Sequence, residues 1–230
     1  MTVMKFEDQQ LPDLDEYASL AEQYIPGRRA IFSIVEASFL ELLGDRPAKI
    51  LVVGAGGGEE ILRLGAGNAA WSFVGVDTYE PMVDLARRRL ATSPVGPRSA
   101  VHTTPIEQLD EAGFDAATCI LTAHFVPDDG SKLAFFKAIR ARLKPGAPLA
   151  IIDGVGVSGE PQTELLRRIW KRHAVLNGVA EDAAERNAQN FGKVAIVSAA
   201  REEDLLTSAG FKDLVPIFRG IAITGWLAFA

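Results

Sequence analysis

The stretch Ala48–Leu64, AKILVVGAGGGEEILRL, decides the fold. Its first part, Lys49–Val53, is a short β-branched run, and from Glu59 onward the apolar residues take helical spacing. Between them Gly54, Gly56 and Gly58 permit a tight turn and a close approach of the backbone to a ligand. The same glycines also suit a turn that only packs strand against helix. A second run, WSFVGVD, narrows the choice because it ends in Asp77, nineteen residues after Gly58. A carboxylate at the end of that strand can accept hydrogen bonds from both hydroxyls of a ribose. The competing role for Asp77 is to cap the helix that begins near Pro81. Glu59 and Glu60 bear on which nucleoside is held. At the first turn of a helix they would repel a diphosphate and tolerate an ammonium or sulfonium group. The expectation is a nucleoside carrying positive charge.

Outward from this centre, strand and helix patterns alternate: KILVV, EEILRLGAG, WSFVGVD, EPMVDLARRRLA, SAVHT, FDAATCIL and PLAIID. Such alternation predicts βαβ units and a parallel sheet. Between the last two strands, Leu133, Phe136, Ile139 and Leu143 recur at helical spacing, with Pro145-Gly146 as the stop. Before Ala48 the breaker pair Pro26-Gly27 separates two helical stretches, LDEYASLAEQYIPG and RAIFSIVEASFLELLG. Residues 158–198 are too long and too helical for an ordinary connection, and read as an inserted helical lid. The tail predicts a helix ending at Gly210 and two strands paired around Arg219-Gly220.

The 230 residues carry 24 Lys and Arg against 30 Asp and Glu, a net charge of -6, which argues against a broad basic surface and so against a nucleic-acid partner. One cysteine, Cys119 in an apolar run, rules out an internal disulfide framework and points to a reducing cytoplasm. The start, MTVMKFEDQQLPDLDEY, has none of the features of a secretory signal, and IAITGWLAFA is too short to cross a membrane. His102, His124 and His173 lack metal-ligand spacing, so no metal is expected. The basic group Arg167, Arg168, Lys171 and Arg172 is either a grip for an acidic substrate or a solvated helix face.

In these motifs the chain resembles the class I S-adenosylmethionine-dependent methyltransferases. ILVVGAGGGEE is similar to their first motif, FVGVDTYEPMVDLAR to the second and FDAATCILTAHFVPDD to the fourth-strand motif. RLKPGAPLAIID and LLTSAGF are similar to the two later signatures. The resemblance implies a doubly wound, Rossmann-like α/β fold with seven strands in the order 3-2-1-4-5-7-6, the last antiparallel. It implies one domain over residues 1–230: N-terminal helices to 47, a cofactor-binding half to 157, the lid to 198, and a final helix and hairpin. It implies S-adenosylmethionine as cofactor and S-adenosylhomocysteine as product. Gly54, Ala55, Gly56 and Gly58 would line the methionine and ribose portion, Asp77 would hold the ribose, and Thr78 and Met82 would flank the adenine. Ile106 would cover its other face, preceded by Pro105 where the family often has an acidic residue. Tyr24 and Leu121 complete the expected cofactor set.

His124, after the fourth strand, is either a general base or a wall of the pocket. Its residue type has a reference pKa near 6.5, suited to the former. His173 and Arg186, in the insertion, are the candidate contacts to a small-molecule acceptor. A narrower resemblance, carried by EQYIPGRRAIFSIV and the long insertion, is to the carboxy-S-adenosylmethionine synthases, where Arg186 would face the added carboxylate. That activity, or a non-catalytic module that only binds the cofactor, is the alternative function. A lid completed by a neighbouring chain would make the protein a homodimer; one completed by its own N-terminal helices would not.

Overall fold

The computed structural model describes residues 16–191 and 193–230; the acidic start read above lies, up to residue 15, outside the described residues. Seven strands form one sheet: β1 (Ala48–Val53), β2 (Trp71–Asp77), β3 (Ser99–Thr103), β4 (Ala116–Ile120), β5 (Pro148–Gly154), β6 (Lys212–Gly220) and β7 (Ile223–Phe229). Their order is β3-β2-β1-β4-β5-β7-β6. β1 to β5 run parallel, and β7 enters antiparallel between β5 and β6, as the motifs implied. The helices are α1 (Tyr17–Tyr24), α2 (Arg28–Leu43), α3 (Glu59–Gly67), α4 (Glu80–Ala91), α5 (Ser131–Arg142), α6 (Pro161–Leu176), α7 (Glu181–Phe191) and α8 (Ala199–Ser208).

The period of two along β1 makes the sheet doubly wound. Ile50 and Val52 enter a core with Ile31, Val35 and Phe39 of α2 and Ile61 of α3, whereas Leu51 and Val53 enter another with Phe136 and Ile139 of α5 and Leu206 of α8. Both faces are therefore covered, and the C-terminal ends of the strands are where the sheet opens to a ligand.

Two local expectations change. α5 ends at Arg142, so Leu143 buries its side chain from an extended cap rather than from the helix. The buried face of α5 also takes in Lys132, fully enclosed, whose Nζ donates to the Ala195 carbonyl at 3.0 Å and stands 3.7 Å from Glu202 Oε2. The final hairpin turns at Ile221-Ala222, because β6 continues through Gly220; Ile221 takes φ 53° to make the turn.

Candidate active site

The glycine loop is wound by backbone conformations that favour glycine. Gly54, Gly56 and Gly58 have φ of 73°, 48° and 77°, and the amides of Gly54 and Ala55 both donate to the Val76 carbonyl, at 2.9 and 3.0 Å. A side-chain carbon at Gly54 would collide with the Thr122 hydroxyl, and one at Gly58 would lie 3.1 Å from Ala86 Cβ. The two ends of the loop thus serve packing, against the β4 loop and against α4. Gly54 and the middle of the loop line a cavity of about 540 Å³, which Gly58 does not reach.

Asp77 sits at the floor of that cavity. Its Oδ2 accepts from Gly56 N at 2.8 Å and its Oδ1 from Tyr79 N at 2.9 Å, so one carboxylate ties the glycine loop to the entry of α4. The capping and ligand roles weighed from sequence are compatible, since each oxygen keeps a lone pair beyond the one used. Burial raises the Asp77 pKa, and the amides of Tyr79 and Gly56 pull against that rise. Thr78, Met82, Pro105, Ile106, Ala55 and Leu121 line the same space.

The charges at the start of α3 are not those the sequence suggested. Glu59 is paired: Arg28 approaches it with both Nη atoms and Arg63 Nε donates to Oε1 at 2.9 Å, with Glu22 bonded to the same two arginines. Burial opposes the charge of Glu59, yet these guanidinium groups hold its pKa below the usual carboxylate range. Glu60 turns inward, is 7% exposed, and burial pushes its pKa up to about 7. The expected repulsion between two free carboxylates and a diphosphate is therefore weakened, because one is neutralised by arginines and the other, although it lines the cavity, is buried with its pKa raised. What the cavity does present is a juxtaposed cation and anion, Arg28 and Glu59.

A second cavity, of about 910 Å³, adjoins the first, and Tyr17, Ala21, Ile25, Leu121 and Phe125 line both. Leu121 makes its part of this wall with a left-handed backbone, φ 54°, a conformation that costs a branched side chain about 1–3 kcal/mol and clusters at functional sites. His124 lines the second cavity. Its Nδ1 is hydrogen-bonded to Oδ1 of Asp153, which is fully buried at the end of β5. An imidazole that donates its Nδ1–H to this carboxylate keeps a lone pair on Nε2.

The structure places Tyr24 and Arg186 in the second cavity and not in the first; Arg186 Nη1 also donates to Asp182 at 2.8 Å. His173 lines neither cavity and lies beside Asn177 on the far part of α6. Of the basic group on α6, Arg167 and Lys171 are taken up by Glu164, Glu181 and Glu185. Sequence reasoning did not find Arg28 or Asp153. The signals were an arginine directly after a Pro-Gly break and a lone acid closing an apolar strand.

Residues 51–149 match a family model described as a methyltransferase domain. No curated protein matches the chain. Among solved structures, an O-methyltransferase family protein from Burkholderia thailandensis aligns over 98% of this chain and 62% of its own, with a TM-score of 0.70 and 12% identity. A SAM-dependent methyltransferase from Aquifex aeolicus aligns over 92% and 97%, with a TM-score of 0.60 and 18% identity. The CurJ carbon methyltransferase aligns over 94% and 59%, with a TM-score of 0.67 and 14% identity. The chain spans about six-tenths or less of the length of several such structures. At these identities the likeness is one of fold.

Proposed function

We propose that this chain is a class I S-adenosylmethionine-dependent methyltransferase and that it moves a methyl group from that cofactor to a small-molecule acceptor held in the adjoining cavity, a reading supported by the methyltransferase-domain match and the strand order. The observation that carries this reading is the pair of cavities sharing one wall, with a carboxylate-oriented histidine on the acceptor side. When bound, the cofactor supplies an electrophilic methyl on a sulfonium, whose displacement needs alignment more than covalent help.

The residues present fit such a group. Asp77 accepts from the ribose hydroxyls, and Gly54 to Gly56 bring backbone against the sugar and methionine. Thr78, Met82, Pro105 and Ile106 enclose the adenine. Arg28 and Glu59 offer opposite charges to an amino-acid zwitterion. His124 is the general base: Asp153 fixes its tautomer, and Nε2 takes the acceptor's proton as the new bond forms. Arg186 and Tyr24 contact the acceptor, and α6 and α7 form the lid over it within a single domain. His173 has no part in this arrangement. The unpaired thiol of Cys119 fits a reducing compartment, the cytoplasm. Among the described residues no helix is long and apolar enough to cross a membrane.

Calorimetric titration of the chain with S-adenosylhomocysteine, with NAD alongside, tests the reading. Binding of the former alone is the expected result, and binding of NAD alone would sink it. Asp77→Ala is expected to weaken S-adenosylhomocysteine binding by about 10- to 100-fold, the worth of hydrogen bonds to a charged acceptor. Unchanged affinity would remove Asp77 from the ribose.

A further inference from the structure

We propose that the acceptor is a hydroxylated aromatic compound, a phenol whose ring lies along the aromatic wall beside His124 and whose hydroxyl meets Nε2. The inference rests on the methyl-transfer reading above and adds the chemical class of its substrate.

The first support is what surrounds the base. The Phe125 ring centroid lies 4.3 Å from that of the imidazole. On the other side is Gly154, next to Asp153: a side-chain carbon there would fall 3.7 Å from Phe191 Cε2 and 3.9 Å from His124 Nδ1. The imidazole and the Phe191 ring thus both border the space beside Gly154, each within van der Waals reach of that carbon. Phe191 in turn stacks on Trp170, with centroids 5.8 Å apart and planes at 28°. Trp170 Nε1 already donates to Asn187 Oδ1 at 3.0 Å, so its ring, and not its N–H, is what it offers a ligand. Phe125, His124, Phe191 and Trp170 thus make one run of aromatic surface along a cavity roomy enough for more than one ring.

The second support is acid strength. Imidazoles as a class titrate near 6.5 and phenolic hydroxyls near 10, a gap that a base can bridge as the transition state forms. Aliphatic hydroxyls are far weaker acids and lie beyond a histidine acting alone. In the step, the phenol oxygen forms a bond to the methyl carbon as the sulfur–methyl bond breaks. That electron pair stays on sulfur, and the hydroxyl proton passes to His124 Nε2 and from there to water. The products are an aryl methyl ether and the neutral thioether.

The test measures binding of phenol, para-cresol, β-naphthol and phenanthrol, and of their ring-saturated counterparts, to the full chain saturated with S-adenosylhomocysteine. The phenols are expected to bind at least about fivefold more tightly than their saturated counterparts, the scale of one or two ring contacts. Phe191→Leu is expected to shrink that preference with unchanged affinity for S-adenosylhomocysteine, and β-naphthol is expected to accept label from methyl-tritiated cofactor. If S-adenosylhomocysteine binds but no phenol outbinds its saturated counterpart, the aromatic acceptor is overturned. A preference that survives Phe191→Leu undiminished overturns the assigned wall. Absence of S-adenosylhomocysteine binding is a different failure, that of the methyl-transfer reading beneath.

Discussion

His124→Gln is expected to lower kcat by about two to four orders of magnitude, the usual contribution of a positioned general base, while leaving affinity for S-adenosylhomocysteine within about threefold. The separation follows from the layout: His124 lines the second cavity, the one proposed for the acceptor, and Asp77, proposed to hold the ribose, lines the first. Asp153→Asn is expected to cost nearly as much. An amide can donate to Nδ1 and so favour the tautomer whose lone pair faces the wrong way. Rates would be read from single turnovers with whichever acceptor is used, over a range of pH. The acid limb of the profile is expected to vanish in His124→Gln together with the rate. If kcat is unchanged in both variants, His124 only shapes the pocket.

Folding stability is expected to fall as pH rises from about 5 to 9, by on the order of a few kcal/mol, with Glu202 the main cause above pH 7. Burial, and then the nearby charge of Asp153, push the Glu202 pKa up from its usual 4.5 to about 8 against the pull of Lys132. Among the described residues neither of its carboxyl oxygens has a hydrogen-bond partner, Lys132 Nζ standing 3.7 Å from Oε2. The folded chain therefore keeps a proton that the unfolded chain has released. Over that window folding is favoured at the acid end, and the advantage is lost as pH climbs through the folded value. Glu60, raised to about 7, adds a similar slope that ends earlier. Urea unfolding at several pH values would show it: Glu202→Gln is expected to flatten the slope between pH 7 and 9 and to leave the part below 7 that belongs to Glu60. A wild-type slope of zero or of the opposite sign across that upper range would remove Glu202 from this role.

The sheet could be read from the chain because its signals are local. Alternating runs such as WSFVGVD carry their own period, and each helix between them ends on a glycine, a proline or a polar cap within a few residues. Asp77 was legible for the same reason, standing at a strand end at a set distance from the glycine loop. Arg28 was not, because its meaning lies in Glu59, thirty-one residues onward and on another helix. Asp153 was not, because PLAIID shows only a strand; the partner that gives it a task, His124, belongs to a different strand end. Lys132 misled the pattern most. A lysine reads as solvent-facing until a carbonyl from residue 195 and a carboxyl from α8 are brought to it. The charges of Glu59 and Glu60 were misjudged likewise, since a sequence shows formal charge but not its neutralisation or withdrawal.

Tyr17, Ala21 and Ile25 form part of the partition between the two cavities, and they come from α1 and the turn after it. α1 carries no side-chain cap at its first residue, and Arg28 anchors it through Glu22 to the same Glu59 that opens the glycine-loop helix. In the proposed reading one short helix would touch both ligands. Whatever free energy the donor spends in settling this partition is no longer charged to the acceptor, and the reverse holds by the same amount. The two dissociation constants are therefore bound in a closed cycle: the factor by which one ligand sharpens the grip on the other can be measured from either end, and must come out equal.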